Sequence, residues 1–238
     1  MIDISDVTVR FGGVTALRDV SVQLEPPVVG IIGPNGAGKT TFLNVFSGFV
    51  GSFSGTISAF GTELLDLRPH QRARWGLRRS FQQEQVVDEL TVEDNVRVVL
   101  DPLGYSSRNR EAYVASALEF TGISSARKVR ASELNALERR MTELARCAAG
   151  QPRVVLLDEP GAGFSQREVA HLESVIRGMH SFNGAMTLLI DHDVDLIQAT
   201  CPSTMVLNFG SLIAVGRTSD VLTDARVRAV YLGVEEAE

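Results

Sequence analysis

The chain has 238 residues, 44% of them apolar, and carries a formal net charge of −6. That length suits one large α/β domain or one domain with a sizeable subdomain, and the acidic balance argues against a nucleic-acid binder, whose surface is normally basic. The two cysteines, Cys147 and Cys201, lie far apart without metal-ligand spacing and read as reduced core thiols, which predicts a cytosolic compartment. The N-terminus, MIDISDVTVRF, alternates rather than forming a leader. No apolar run approaches the length needed to span a bilayer, so membrane association is expected only through a partner.

Residues 2–10 and 19–24 alternate apolar and polar side chains and are predicted to be half-buried antiparallel strands. Between them Phe11-Gly12-Gly13 makes a turn. An aromatic at a strand end shortly before a phosphate loop suits stacking on a nucleobase, with ordinary hairpin packing as the equal alternative. Pro26-Pro27 ends the second strand. Residues 28–32 are an apolar run, predicted to be a buried strand, and they empty into Gly33-Pro34-Asn35-Gly36-Ala37-Gly38-Lys39-Thr40. This octapeptide fits G-x-x-x-x-G-K-[ST] at every fixed position. Gly33, Gly36 and Gly38 let the backbone turn tightly so that successive N–H groups face a polyphosphate. A helix over 40–46 then presents its positive end to the same anion. Lys39 is placed to reach the β and γ phosphates, and the Thr40 hydroxyl to ligate Mg2+.

Further on, a strand is expected over 56–60 and a short helix from Pro69 to Gly76. Arg68, Arg72, Arg74, Arg78 and Arg79 cluster there, and such a run reads as a solvated face. Residues 77–81 suggest another strand, followed by Gln82. The stretch 86–150 has helical character throughout, with a capping pattern at Thr91 and amphipathic runs over 111–120 and 138–149. The apolar strand 154–157 ends in Asp158-Glu159, which puts two acids at the edge where α/β folds bind ligands. Asp158 is suited to hold Mg2+ through water and Glu159 to polarise the attacking water. A helix over 166–180, a strand over 186–190 with His192 at its edge, a hairpin over 204–215 and a short helix over 224–231 complete the chain. A histidine so placed is, taken alone, more often a surface or cap residue than a catalytic one.

The order of these features resembles the nucleotide-binding subunit of an ABC transporter along essentially the whole chain. The matching pieces are Phe11, GPNGAGKTT, Gln82, LLDEP at 156–160 and IDHD around His192. Within that superfamily RFGGVTAL, GLRRSFQ, ELTVEDNV and YLG resemble the branched-chain amino acid or urea-type importer ATPases. The resemblance implies a P-loop NTPase core, a mixed sheet with flanking helices plus an N-terminal antiparallel β subdomain, over 1–82 and 151–238, with an inserted helical subdomain over 83–150. It implies that Phe11 stacks on adenine and that Gly33, Asn35, Gly36, Ala37, Gly38, Lys39, Thr40 and Thr41 hold the phosphates of ATP. Thr40, Gln82 and Asp158 then serve Mg2+, Glu159 is the general base, and Gln82 and His192 sense or hold the γ phosphate. In this family two such domains enclose two ATPs, each site completed by a signature loop, usually LSGGQ, of the opposite domain.

Counting back from Ala145-Arg146, the signature positions hold Leu134-Asn135-Ala136-Leu137-Glu138. Asn135 can partly replace the usual Ser as donor and cap, whereas Leu137 puts a branched side chain where the family has Gly. Loss of one donor to developing charge costs about 3 to 4 kcal/mol, roughly a hundredfold or more in rate. Ser165 also stands where many relatives have Asp. The expected partners are therefore a second, non-identical ABC ATPase subunit, two membrane permease subunits and, indirectly, a solute-binding protein, with no nucleic acid. The expected site of action is the cytoplasmic face of the membrane. The leading function is Mg-ATP hydrolysis driving uptake of branched-chain amino acids or a related small polar solute. The alternatives are a lipid-export ATPase and a regulatory subunit that holds ATP with little turnover.

Overall fold

The computed structural model describes residues 1–51 and 53–232; the polar VEEAE tail and Gly233 of the YLG phrase lie outside the described residues. In chain order these residues form β1 (Ile2–Phe11), β2 (Val14–Leu24), β3 (Val28–Ile32), α1 (Lys39–Ser47), β4 (Phe53–Ala59), β5 (Thr62–Glu63), α2 (Pro69–Trp75) and β6 (Leu77–Arg79). They continue with α3 (Val92–Arg97), α4 (Ser107–Phe120), α5 (Ala136–Ala148), β7 (Val154–Asp158), α6 (Gln166–Asn183), β8 (Met186–Ile190), α7 (Val194–Thr200), β9 (Ser203–Asn208), β10 (Ser211–Arg217), α8 (Thr218–Val221) and α9 (Ala225–Leu232). The chain divides into two compact units, Met1–Ala73 with Leu188–Glu238, and Arg74–Thr187.

In the first unit β2, β1, β4 and β5 form an antiparallel sheet in that order. Its alternating strands bury Ile2, Ile4, Val7 and Val9 on one side and leave polar residues on the other. Two register shifts fall at Asp6 and Asp19, both with left-handed backbone (φ 53° and 46°). Each is fixed by a cross-strand side-chain bond, Ser21 Oγ to Asp6 Oδ1 at 3.0 Å and Thr8 Oγ1 to Asp19 Oδ1 at 2.8 Å, so the irregularities are built features. The fully buried β3 pairs in parallel with β9, and β9 pairs antiparallel with β10. A continuous apolar run such as VVGII is what a strand covered on both faces requires.

The second unit pairs β6 in parallel with the fully buried β7 and packs α3, α4 and α5 against one another. Phe120 stacks on Phe182 with ring centroids 4.2 Å apart. The expectation of helix throughout 86–150 is corrected. Regular helix is confined to α3, α4 and α5, separated by 3-10 turns at Asp101–Leu103, Ser124–Ala126 and Ala131–Glu133. Pro102 and the left-handed Gly104 and Gly122 interrupt the periodicity. Helix α7 went unforeseen although Asp193 caps it, accepting from the N–H groups of Asp195 and Leu196. Both cysteines are buried free thiols, and burial pushes each up to about 12.

Candidate nucleotide site

In the first unit the loop after β3 turns through Gly33 (φ 154°), Gly36 (φ 79°) and Gly38 (φ 101°). These glycines answer to different neighbours. A Cβ on Gly33 would lie 2.1 Å from the Leu207 carbonyl oxygen, and one on Gly38 would lie 2.5 Å from the Ala16 carbonyl oxygen. Only at Gly36 would a Cβ meet open space. The expectation that all three serve phosphate approach is therefore refined: Gly33 and Gly38 are demanded by close protein backbone, and Gly36 faces outward. The loop is also tied from outside, since Gly210 N–H donates to the Ala37 carbonyl (3.0 Å) and Arg18 N–H to the Gly210 carbonyl (2.8 Å).

Helix α1 starts at Lys39, one residue earlier than expected, and its N-cap Gly38 contributes no side-chain bond. The first N–H groups of an α-helix have no carbonyl within the helix to bind, and the helix dipole favours an anion there. Lys39 is only 8% exposed, and its Nζ donates to the carbonyls of Gly33 (2.6 Å) and Pro34 (3.1 Å). The ammonium thus spans the loop from within. Asn35 and Thr40 are exposed, Ala37 is buried and Thr41 is half-buried. Phe42 and Phe46, fully buried with ring centroids 5.2 Å apart, anchor the helix beneath.

Phe11 is 54% exposed at the end of β1, so hairpin packing does not bury it. His192 is exposed after β8, with Nδ1 3.7 Å from Asp191 Oδ1, too long for a hydrogen bond. The flanking acids are occupied structurally: Asp191 accepts from Asp193 N–H at 3.0 Å, and Asp193 caps α7. The arginine run is corrected in part: Arg68 and Arg74 are exposed as a solvated face requires, whereas Arg72, Arg78 and Arg79 are not. Arg72 is 4% exposed and donates to the carbonyls of Val45 (2.6 Å), Phe46 (2.7 Å) and Leu67 (2.9 Å), closing the C-terminal end of α1. A guanidinium can reach the two carbonyls at the end of α1 and that of Leu67 together because its donors form a planar fork.

In the second unit β7 delivers Asp158 and Glu159. Asp158 is buried, and its Oδ2 accepts from Arg79 Nη2 at 3.2 Å, while its N–H donates to Ser80 Oγ at 3.2 Å. Desolvation pulls the Arg79 guanidinium below its ordinary pKa, opposed by Asp158. Arg78, at 9% exposure, is likewise no part of a solvated face. Glu159 has left-handed backbone (φ 49°) although it carries a side chain and precedes Pro160. Such backbone costs about 1 to 3 kcal/mol and collects at functional sites. Its Oε2 accepts from Gln82 Nε2 at 3.2 Å. The direct bond between Gln82 and Glu159, 77 residues apart, was not foreseen, and Arg79 was read only as part of the arginine run; the available signal was a cation ending a strand beside an acid-tipped strand.

The segment 134–138 starts α5. Asn135 Oδ1 accepts from Glu138 N–H at 2.9 Å and Glu138 Oε2 accepts from Asn135 N–H at 3.0 Å, a capping box. Asn135 is thus a helix cap, as expected, and a carboxylate already sits at this helix start. Ser165 precedes α6, and its N–H and hydroxyl both donate to Glu168 Oε2, at 2.8 and 2.5 Å.

A buried strand, a glycine loop and a lysine-headed helix define a P-loop NTPase of α/β class. The family model for ABC transporters matches residues 17–162, and the chain belongs to that family, as a nucleotide-binding, transport-coupled ATPase. Among its relatives, the high-affinity branched-chain amino acid transport ATP-binding proteins BraF of Pseudomonas aeruginosa and LivG of Escherichia coli are each 32% identical, with 98% of both chains covered. The lipopolysaccharide export system ATP-binding protein LptB of Acidithiobacillus ferridurans is 35% identical, covering 91% of this chain and 90% of its own. Among solved structures, the ADP conformation of an ATP-binding cassette of an ABC transporter is 28% identical with a TM-score of 0.84, covering 98% of this chain and 99% of its own. No described helix is long and apolar enough to cross a membrane.

Proposed function

We propose that this subunit hydrolyses Mg-ATP to drive uptake of branched-chain amino acids or a related small polar solute through two permease subunits fed by a solute-binding protein. The observation that carries the ATP reading is the buried Lys39 ammonium inside a glycine loop at the side-chain-uncapped start of α1. The solute class rests on full-length similarity to BraF and LivG. Phe11 stacks on the base, and residues 33–41 cradle the phosphates. Glu159 takes the proton of the attacking water, Gln82 orients that carboxylate, and His192 holds the γ phosphate. Residues 83–150 form the helical subdomain set into the ATP-binding core.

Magnesium suits the donors present. Among the described residues no three His, Cys, Asp or Glu converge as an all-protein metal cage, and Mg2+ commonly binds through one or two protein oxygens plus substrate phosphates. Thr40, Gln82 and Asp158 would supply such hard oxygens, and a magnesium ion held there would neutralise phosphate charge. Arg79 already pairs with Asp158 Oδ2 at 3.2 Å, and Asp158 would serve the metal through water.

The capping box occupies the start of α5 with the Glu138 carboxylate, and Leu137 adds a branched side chain. A phosphate brought there meets the Glu138 negative charge, and the Asn135 and Glu138 N–H groups are already bonded within the box. The working transporter therefore pairs this chain with a different ATPase subunit bearing a sound signature, at the cytoplasmic face of the membrane. Purified alone, at concentrations where it self-associates, the wild-type chain hydrolyses ATP slowly, and Leu137→Gly combined with Glu138→Gln raises the rate about tenfold or more. Brisk hydrolysis by the wild-type chain, abolished by Glu159→Gln, contradicts the defective signature.

Vesicles holding the assembled transporter and its binding protein test the cargo. ATP-dependent accumulation of labelled leucine, isoleucine or valine, lost with Glu159→Gln, is the expected result. ATPase activity without uptake of any of the three would favour the export reading suggested by LptB.

A further inference from the structure

The segment after β6 is bonded on two sides within the second unit. Toward β7, Arg79 pairs with Asp158, Ser80 accepts from Asp158 N–H, and Gln82 donates to Glu159. Toward α5, Glu143 Oε1 accepts from the N–H groups of Phe81 (3.3 Å) and Gln85 (3.4 Å). Arg140 Nη1 donates to Glu143 Oε2 at 2.5 Å and to the Phe81 carbonyl at 3.3 Å. Arg139 reaches Glu84 (3.3 Å) and Asp88 (2.7 Å), and Arg146 donates to the Gln85 carbonyl.

The side chains of Arg140 and Glu143 are 4% and 3% exposed. Taking two charges out of water is costly, and a well-packed apolar pair of similar volume stabilises a fold as well or better. Desolvation accordingly raises the Glu143 carboxyl against the pull of Arg140 and the two backbone donors. What a leucine at 143 could not supply is an acceptor for the backbone N–H groups that straddle Gln82. The amides of residues 81 and 85 set the path of the chain between them, and that path sets the place from which Gln82 reaches Glu159.

We propose that Glu143, held by Arg140, is a positioning residue for ATP hydrolysis: it pins the backbone on both sides of Gln82 so that the Gln82 amide stays on the Glu159 carboxylate. The inference rests on the role assigned above to Glu159. In this role Glu143 acts only through Gln82.

The test uses the assembled transporter with wild-type chain, Glu143→Asp, Glu143→Gln, Gln82→Ala, and Glu143→Asp combined with Gln82→Ala. Aspartate keeps the charge beside Arg140 but shortens the reach to the amides of 81 and 85. Glu143→Asp is expected to lower kcat about tenfold or more while KM for Mg-ATP changes less than about twofold. Hydrogen exchange at residues 81–85 should accelerate about tenfold in both Glu143 variants, a readout independent of turnover. Added to Gln82→Ala, Glu143→Asp should cost nothing further, because the two act as one unit. Losses that multiply, or Glu143 variants with wild-type kcat and exposed 81–85 amides, overturn the proposal. If Glu143→Gln fails to fold, Glu143→Asp and its combination with Gln82→Ala decide the matter. A wild-type complex that does not hydrolyse ATP, or one indifferent to Glu159→Gln, instead overturns the ATPase roles on which the proposal stands.

Discussion

Arg72 shows how a single side chain can be misjudged from its neighbours in the sequence. Five arginines between positions 68 and 79 suggest a solvated cationic face, yet Arg72 is buried with its donors on carbonyls at the end of α1. Arg72→Ala removes the guanidinium donor from both carbonyls, leaving Val45 only the Gly48 N–H, so it should destabilise the fold by about 2 to 4 kcal/mol. Arg72→Lys should recover little of that loss, because an ammonium cannot span three carbonyls as a planar fork does. Thermal melts of the two variants check this, and a wild-type melting temperature for Arg72→Ala would show the bonds to be dispensable. Lys39, by contrast, was legible in advance, since a fixed octapeptide between an apolar run and a helix leaves few alternatives. The pairing of Gln82 with Glu159 was not legible, because local spacing carries no information about contacts 77 residues apart.

At the scale of elements, β3, β7 and β8 were readable as continuous apolar runs and β1 and β2 as alternating ones, because side-chain period reports burial directly. The helical stretch was overread between its helices, where Pro102 and the left-handed Gly104 and Gly122 interrupt it, and its charges pair across elements as well as along helix faces. Glu93 shows this. Burial raises its carboxyl, but bonds from Lys128 and Arg127 outweigh burial and hold it below the ordinary value of 4.5. Glu111 is likewise held low, by bonds from Arg97 and Arg127. A carboxyl depressed in the folded state contributes stability that is present above its unfolded pKa and is lost as pH falls through the folded one. The melting temperature should therefore drop as pH is taken from about 5 downward. Glu93→Gln should melt about 2 to 4 °C lower at pH 7 and show a shallower acid dependence. An unchanged acid limb in that variant would mean that other carboxylates govern it.

At the scale of the molecule, the family was readable because several weak features occur in one order along nearly the whole chain, and 32% identity over 98% of it bears that out. Three local features stand out within the second unit: a left-handed Glu159 backbone, a Gln82 segment bonded to α5, and a capping box at the start of that same helix. Under the roles proposed above, the first two serve one half of an ATPase site and the third bears on the surface offered to a partner's nucleotide. Both follow from where a handful of carboxylates find their hydrogen bonds. The most direct measurement is equilibrium binding and single-turnover hydrolysis of Mg-ATP by the assembled transporter carrying wild-type chain, Lys39→Ala or Glu159→Gln. Lys39→Ala should lose nucleotide affinity at this subunit's loop, while Glu159→Gln should bind like wild type and hydrolyse at least about a hundredfold more slowly there. Undiminished binding by Lys39→Ala, or undiminished hydrolysis by Glu159→Gln, would contradict the placement of ATP and its base on these residues.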